Sequence, residues 1–276
     1  MHLLALIIGY FSLGSFIYLS SNRLSKDTPS ISFLSYNAHG FYGNEKPDLT
    51  STTKKIMSFI KERDPDIICF QEFNWRHKNQ KDLVKYPFRY VEGGHLDEEG
   101  KVFQAIYSKY PIINQEILNF PQSLNQGIYV DLKVNKDTLR IYNLHLESLK
   151  LRPGMIKRER SDRLFKRLRN SFAKQYEQAL IFRKNADECH YAKIVCGDFN
   201  NTQFSSSYRL IKGDMNDSFA EKGSGYGKTI NFWRFPLRID FILTDPKFEV
   251  LSHENYNLGL SDHEPIMASF KLNSNK

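Results

Sequence analysis

The 276-residue sequence contains few cysteines, since Cys69, Cys189 and Cys196 are the only three. This number and spacing exclude a disulfide framework and a thiolate metal site, and the apolar runs around Cys69 and Cys196 are typical of buried reduced thiols. The sequence contains 15 glycines and 10 prolines, which is not more than in an ordinary globular protein, and it has no internal repeat. Collagen-like, low-complexity and disordered chains are therefore excluded, and the composition predicts a globular protein.

Aromatic residues and positive charge are abundant by comparison. Phenylalanine, tyrosine and tryptophan make up 14% of the chain, which favours a core rich in β-structure over a coiled coil. Lysine and arginine number 39 against 31 aspartates and glutamates, a formal net charge of +8. This surplus suits nucleic acid or anionic lipid headgroups as partners, and it is equally consistent with a basic surface that has no specific partner.

An uncharged hydrophobic run occupies Leu3–Leu19, near the lower limit of roughly 17 to 25 residues for a membrane-spanning helix. No basic stretch precedes this run and no clear cleavage site follows it, so a membrane anchor is favoured over a signal peptide. Arg23 and Lys26 follow the run and favour a cytoplasmic location for the rest of the chain. The sequence thus divides into an anchor or signal-like segment at 1–21, a linker at 22–29 and one globular domain at 30–276.

Short hydrophobic strands dominate the globular domain. Alternating apolar residues from Ile128 to Val134 predict a half-buried strand, and turn residues lead from it into a returning strand that ends at His145. Further strands are predicted at Ile31–Tyr36, Asp66–Phe70, Gln104–Tyr107, Tyr191–Cys196, Leu237–Leu243, Phe248–Ser252 and Pro265–Leu272. A helix is predicted to end near Arg63.

A longer helix is predicted over Lys157–Lys184. Its apolar residues recur every three or four positions and predict a single apolar stripe, made of Leu164, Phe165, Leu168, Phe172, Tyr176 and Leu180. Arginines crowd the opposite face, at positions 158, 160, 163, 167 and 169. Strands with helices between some of them predict an α/β sandwich of two packed sheets flanked by helices. A doubly wound parallel sheet is the alternative, although no G-x-G-x-x-G turn follows the first strand.

Polar side chains recur where the predicted strands end. Those at or after strand ends are Asn37, Glu72, Asn143, His145, Asp198 and Asn200, while Asp240 lies within a predicted strand and Asp262 and His263 precede the last one. Each residue alone has a structural explanation, because asparagine and aspartate form turns and helix caps and a histidine can be part of a core. So many coincidences along one chain are improbable, and the set predicts a functional site.

Seven segments in order resemble the successive motifs of the endonuclease/exonuclease/phosphatase superfamily, typified by type I deoxyribonuclease. They are Ser35-Tyr36-Asn37, Gln71-Glu72, Tyr107-Ser108-Lys109, Asn143-Leu144-His145-Leu146, Gly197-Asp198-Phe199-Asn200, Arg238-Ile239-Asp240-Phe241 and Ser261-Asp262-His263. The resemblance spans about Ser30–Phe270. It implies a four-layered α/β sandwich with two mostly antiparallel sheets, and hydrolysis of phosphoester bonds with a divalent cation, usually magnesium, with manganese as the alternative.

The resemblance also implies which residues bind the metal. Glu72 resembles the main carboxylate ligand, Asn37 lies in the motif that supports metal and phosphate, and Asp262 resembles a carboxylate beside that centre. Hard oxygen ligands of this kind suit Mg²⁺, which polarises a phosphoryl oxygen. Zinc is disfavoured because the sequence has no H-E-x-x-H or Cys/His ligand spacing.

Five further residues resemble the catalytic groups of the family. His263 resembles the histidine beside the scissile phosphate, and Asp240 the acid that orients a histidine. Asp198 resembles the residue that positions or deprotonates the attacking water, and Asn200 and His145 resemble donors to the phosphate oxygens. Such roles agree with the chemistry, because phosphodiester hydrolysis develops negative charge on oxygen and needs an activated water.

The phosphoester substrate stays open between nucleic acid and a phospholipid headgroup. A nuclease acting on DNA or RNA would use the basic helix to hold phosphates, whereas a sphingomyelin or phosphoinositide phosphoesterase would use the same charge beside a membrane. A non-catalytic membrane adaptor is the third alternative, and no obligate protein partner is evident. His39 stands where abasic-site repair enzymes of the family have an aspartate, which counts against DNA repair.

Overall fold

The computed structural model describes residues 18, 30–43, 49–77, 79, 81–92, 103–151, 159–232 and 235–273. The predicted linker and, apart from Tyr18, the predicted anchor lie outside these residues. Tyr18 forms an isolated β-bridge with Gly225, and its ring contacts the Phe219 ring edge-on at 5.2 Å. Within the described ranges, no helix is both long and apolar enough to cross a membrane.

The described residues form fourteen strands, four α-helices and three short 3-10 helices at His39–Phe41, Trp75–His77 and Lys81–Leu83. The strands are β1 (Ile31–Asn37), β2 (Ile67–Phe73), β3 (Phe88–Val91), β4 (Phe103–Ser108), β5 (Ile112–Leu118), β6 (Gly127–Val134), β7 (Asp137–His145), β8 (Ala192–Asp198), β9 (Asn216–Asp217), β10 (Ile230–Phe232), β11 (Phe235–Leu237), β12 (Asp240–Thr244), β13 (Phe248–Asn255) and β14 (Ile266–Leu272). The helices are α1 (Leu49–Arg63), α2 (Ser161–Glu188), α3 (Ser206–Lys212) and α4 (Ser218–Lys222).

Two six-stranded sheets form the centre of the molecule. The first has the strand order β13-β14-β1-β2-β4-β3 and the second the order β5-β6-β7-β8-β12-β9, while β10 and β11 pair separately. Each sheet contains one parallel pair, β1 with β2 and β7 with β8, and its other pairs are antiparallel. The prediction of mostly antiparallel sheets is confirmed, and the doubly wound alternative is wrong.

The sheets pack face to face through apolar side chains from both. Phe33 and Cys69 of the first sheet belong to the same buried cluster as Val130 and Cys196 of the second. Helix α1 packs on the outer face of the first sheet and α2 on the outer face of the second. The order helix, sheet, sheet, helix confirms the four-layered sandwich, and all three cysteines are buried and free.

Helix α2 presents a different face to the core from the one predicted. Its buried residues are Ser171, Gln175, Gln178, Ala179, Phe182 and Ala186. The predicted apolar stripe is wrong as the buried face, because Phe165, Phe172, Tyr176 and Leu180 are 69%, 46%, 43% and 46% exposed. The helix turns its glutamines inward because they bind the backbone after β7: Gln175 Nε2 donates to the Glu147 carbonyl at 2.7 Å, and Glu147 N–H donates to Gln178 Oε1 at 2.9 Å.

The predicted strand at Leu237–Leu243 is also wrong in its bounds. The chain leaves the small β10–β11 pair at Leu237 and enters β12 only at Asp240. Arg238 lies in the gap, where its guanidinium binds the Asp217 carboxylate at 2.7 and 2.9 Å. Both side chains of this ion pair are buried, so each charge is compensated by the other.

Candidate active site

Strand pairing brings three of the predicted residues to one end of the second sheet. His145, the last residue of β7, is opposite Asp198, the last residue of β8, in the parallel pair. Asp240, the first residue of β12, is opposite Asp198 on the other side. In the first sheet, Asn37 ends β1 beside Gln71 of β2, and its Nδ2 lies 3.1 Å from Asp198 Oδ2. Asp198 therefore joins the ends of both sheets.

Gly197 makes this approach possible. Its φ is +136°, and a Cβ built there would lie 1.8 Å from the Leu144 carbonyl oxygen of β7. Any side chain at this position would collide with backbone, which cannot give way as a side chain can. The glycine of the Gly-Asp-Phe-Asn motif thus allows β8 to deliver Asp198 next to His145.

Glu72 reaches the site through an irregular stretch of β2. The β2–β4 register shifts between Gln71 and Phe73, and Glu72 has a φ of +47°. Left-handed backbone at a non-glycine residue costs of order 1 kcal/mol and tends to occur at functional sites. The Glu72 carboxylate accepts a hydrogen bond from Asn37 Nδ2 at 3.3 Å, lies 4.0 Å from His145 Nε2, and is 32% exposed.

His263 and Asp240 form a buried hydrogen-bonded pair. His263 Nδ1 lies 2.8 Å from Asp240 Oδ2, and the opposite ring nitrogen Nε2 lies 3.6 Å from Asp198 Oδ2. Thr229 holds the pair in place, because its Oγ1 accepts from Asp240 N–H at 3.2 Å and its carbonyl accepts from Glu264 N–H at 2.7 Å. Thr229 has no sequence signal that would have marked it in advance.

Burial and neighbouring charges shift the pKa values of this cluster. Burial raises the pKa of Asp198 to about 6, against the opposing effect of His263. Burial alone would lower the pKa of His263, but the charges of Asp240 and Asp198 outweigh it and hold that pKa well above its ordinary value. At neutral pH a protonated His263 ring therefore faces an ionised Asp198 carboxylate, whose pKa of about 6 lies close to that pH.

Asn200 and His145 line the same end of the sheet. Asn200 has a φ of +50°, and its Nδ2 donates to the Leu146 carbonyl at 2.9 Å. An amide nitrogen carries two hydrogens, so the second can still reach a phosphate oxygen. His145 Nε2 lies 3.6 Å from Asp198, and among the described residues its buried Nδ1 has no hydrogen-bond partner.

Asp262 lies on a more open wall of the site. Its side chain is 53% exposed and its Oδ1 lies 3.6 Å from His39 Nδ1. The neighbouring Ser261 hydroxyl donates to the Asn37 carbonyl at 2.8 Å, which ties this loop to the end of β1. His39 thus lies beside Asp262 at this wall.

Asn143 does not belong to the site, although it was among the polar strand-end residues of the sequence. It is fully buried between the sheets, where its Oδ1 accepts from Gln71 Nε2 at 2.7 Å and its Nδ2 donates to the Phe70 carbonyl at 2.8 Å. Gln104 completes this set of amides by donating to the Asn143 carbonyl at 3.0 Å. Hydrogen bonds of this kind fix the two sheets relative to each other, and with them the site.

The carboxylates fit a hard divalent cation. Glu72 combines a solvent-accessible carboxylate with a fixed orientation, because the Asn37 amide binds it on one side. Since Asn37 Oδ1 accepts from His39 N–H at 3.1 Å, Asn37 orients Glu72 through its nitrogen. Atoms of Asp198, Asp240 and His263 also lie within 4.8 Å of one another. That group is better suited to proton transfer, because the His263–Asp240 hydrogen bond already uses Nδ1.

Comparison with known proteins agrees with this geometry. A model of the Endonuclease/Exonuclease/phosphatase family matches residues 34–263. A comparison with curated protein sequences finds no match. Several solved structures share the fold at low sequence identity.

One such structure is D. rerio TDP2 complexed with single strand DNA product. It has a TM-score of 0.67 and 16% identity, over 88% of this chain and 100% of that one. The human Nocturnin catalytic domain with bound sulfate anion has a TM-score of 0.66 and 18% identity, over 91% and 97%. An endonuclease/exonuclease/phosphatase from Bacteroides vulgatus has a TM-score of 0.65 and 18% identity, over 89% and 100%.

Proposed function

The chain belongs to the endonuclease/exonuclease/phosphatase family, and we propose that it hydrolyses phosphodiester bonds with a divalent cation bound at Glu72. It is an ester-bond hydrolase of the phosphoesterase and nuclease class. The single observation that carries the proposal is the series of contacts from Asp240 through His263 to Asp198, and on through Asn37 to Glu72. Asp198 as the base, His263 as the acid and Glu72 as the cation-binding carboxylate thereby lie together at one site.

Asp198 and His263 divide the proton transfers between them. With a pKa of about 6, Asp198 is ionised at neutral pH and still basic enough to accept a proton from an attacking water. His263 is protonated, and its Nε2–H can donate to a phosphate oxygen as negative charge develops there. Asp240 keeps the proton on Nδ1 and fixes the ring. His145 and Asn200 supply further donors at the same edge.

The cation completes the electrostatics of this site. When bound, it polarises the phosphoryl oxygen and offsets the charge of the leaving group. We propose Mg²⁺, with Mn²⁺ as the alternative, because the residues that would hold it offer hard oxygen ligands. Glu72 would be the principal ligand, Asn37 would orient it, and Asp262 would contribute from the open wall.

A hydrolysis assay with matched histidine variants tests the proposal. We expect the protein to hydrolyse bis(p-nitrophenyl) phosphate with Mg²⁺ and to lose that activity in chelator. His263→Ala should lower kcat by about 10²–10³, since it removes the donor to the developing charge. His190→Ala, at an exposed histidine after α2, should retain the wild-type rate. Equal rates for His263→Ala and wild type, or activity that survives chelation, would contradict the proposal.

The substrate is proposed within this chemistry as nucleic acid or a phospholipid headgroup. The D. rerio TDP2 structure contains a DNA product, and the human Nocturnin structure contains a sulfate anion. Both similar structures therefore hold an anionic ligand. In this chain, Lys150, Arg163, Lys166 and Lys174 border a cavity of about 360 Å³ that also includes Glu147. Phosphate groups are the natural ligands for such a cationic cavity.

Membrane association is a further part of the proposal. It is supported by the uncharged run at Leu3–Leu19, while Arg23 and Lys26 favour a cytoplasmic active site. The Tyr18 bridge to Gly225 holds the end of this run against the domain. Membrane contact is then expected from the residues before Tyr18.

A further inference from the structure

A cavity of about 590 Å³ lies between α2 and the loop that follows Asn200. Phe172 and Tyr176 of α2 form one wall, and Thr202, Phe204 and Ser206 belong to the other. Phe172 and Tyr176 are 46% and 43% exposed, whereas another face of the same helix is buried against the second sheet. The cavity lies within the size range of small-molecule and nucleotide sites.

Gln175 connects this cavity directly to the catalytic site. Its Nε2 donates to the Asn200 carbonyl at 3.2 Å and to the Glu147 carbonyl at 2.7 Å, while its Oε1 accepts from Asn201 at 2.8 Å. Asn200 in turn binds the Leu146 carbonyl, one residue beyond His145. Gln175, which lines the cavity, is therefore one hydrogen bond away from Asn200, a proposed donor to the phosphate.

The lining of the cavity resembles the surface that a nucleobase requires. Aromatic rings offer flat faces for stacking, and the hydroxyl groups of Thr202 and Ser206 offer hydrogen bonds to a base edge. The residues that line the cavity include no charged side chain. A lipid acyl chain would make no use of the hydroxyl groups, and an ammonium headgroup would lack an acidic partner there.

Positive charge is concentrated on the other flank of α2 instead. Arg163, Lys166, Arg167 and Lys174 line the cavity of about 360 Å³ near Glu147, on the side of α2 away from Phe172. Phosphates of a polynucleotide would be attracted there, whereas a cationic choline group would be repelled. Helix α2 thus carries exposed aromatic rings on one flank and cationic side chains on the other, and its Gln175 contacts the backbone at Glu147 and Asn200.

We propose that the cavity between α2 and the 201–207 loop binds a nucleobase of single-stranded nucleic acid, next to the phosphodiester that is cleaved. The base must be unpaired because stacking on Phe172 and Tyr176 requires a free face. This inference rests on the proposed phosphodiesterase function and names its substrate class. It also gives the exposed aromatic residues of α2 a role that core packing does not.

Binding of a fluorescent oligonucleotide tests the inference without requiring turnover. Full-length protein is titrated, in chelator, into a single-stranded oligonucleotide carrying 2-aminopurine, whose fluorescence is quenched when the base stacks. Wild type is compared with Phe172→Ala/Tyr176→Ala, and with Phe165→Ala/Leu180→Ala as the matched control on exposed positions of the same helix outside the cavity. An abasic oligonucleotide of equal length measures binding through phosphates alone.

We expect quenching with wild type and with the control variant. In Phe172→Ala/Tyr176→Ala the quenching should be lost and Kd should rise about 5- to 150-fold, as expected for one stacked base. Quenching that persists in this variant would overturn the inference. Equal affinity of wild type for the normal and the abasic oligonucleotide would also overturn it. So would displacement of the oligonucleotide by phosphocholine or sphingomyelin vesicles at a lower concentration than unlabelled oligonucleotide requires.

The two proposals fail separately. Base-dependent quenching without hydrolysis of any phosphodiester would contradict the proposed function and support the base-binding site. Hydrolysis of bis(p-nitrophenyl) phosphate without base-dependent binding would support the proposed function and overturn the site.

Discussion

Asp198 is the residue on which the site is centred. It meets Asn37 from the first sheet, His145 from the second sheet and His263 from the loop before β14, all within 3.6 Å of its Oδ2. A buried carboxylate among such partners acquires a raised pKa and still stays ionised at neutral pH. A general base needs both properties.

Single residues of the site differ in how far the sequence predicts them. Glu72, Asp198 and His263 are predictable because strongly polar residues next to the ends of apolar strands are unusual. Gln175 and Thr229 are not, since a glutamine in a helix and a threonine in a loop have many ordinary roles. Their function depends on which backbone groups they meet after folding.

Replacing Asp240 with asparagine should change the protonation of His263. Asp240→Asn removes the charge that raises the pKa of His263, so that pKa should fall. We expect kcat at neutral pH to fall at least about tenfold as the imidazolium donor is lost. NMR titration of the His263 ring measures the pKa directly. An unchanged His263 pKa in Asp240→Asn would contradict the role assigned to the pair.

At the scale of whole elements, the sequence predicts where the strands lie better than it predicts which face of a helix is buried. The β6–β7 hairpin is predictable because apolar residues alternate along β6, but the prediction that this strand is half-buried is wrong, since all its residues except Lys133 are buried. The predicted buried face of helix α2 is wrong because its glutamines form hydrogen bonds with backbone groups of the loop after β7. These hydrogen bonds determine which face of the helix turns inward. Apolar periodicity alone does not report such contacts.

The interface between β13 and α4 should make the protein sensitive to acid. Burial lowers the pKa of His253 to about 4, with Arg238 acting in the same direction and Asp217 against both. His253 Nδ1 also lies 2.8 Å from the Ser218 hydroxyl. The unfolded chain binds a proton at this residue near pH 6.5 and the folded chain only near 4, so stability falls as pH drops through that window.

Urea unfolding of wild type and His253→Gln at pH 7 and pH 4.5 measures this effect. The free energy of unfolding should fall between the two pH values by up to about 3 kcal/mol more in wild type than in the variant. Glutamine keeps a polar partner for Ser218 and does not titrate. An equal pH-dependent loss in both proteins would show that His253 does not carry the effect.

At the scale of the whole molecule, the fold places the candidate active site where both sheets end, and Gln175 of helix α2 contacts the backbone beside it at Glu147 and Asn200. The net charge of +8 is consistent with an anionic substrate reaching this edge. For the hydrophobic run at Leu3–Leu19 we propose a second property, attachment to a bilayer, which the catalytic chemistry does not need.

Removing residues 1–16 tests that attachment while Tyr18 and its contacts are kept. We expect the full-length protein in the membrane fraction and the shortened protein in the soluble fraction, because the apolar run supplies the binding energy. Turnover of bis(p-nitrophenyl) phosphate should be the same for both. A full-length protein that is already soluble without detergent would contradict membrane attachment.

The most direct test of the central claim, that residues from both sheets form one cation-dependent hydrolytic site, is the dependence of kcat on Mg²⁺ concentration in wild type, Glu72→Gln and the exposed control Glu177→Gln. Glu72→Gln removes the charge of the proposed ligand and keeps its size. The account predicts that this variant needs at least about tenfold more Mg²⁺ for half-maximal rate, while Glu177→Gln follows wild type. Superimposable Mg²⁺ curves for wild type and Glu72→Gln would contradict it.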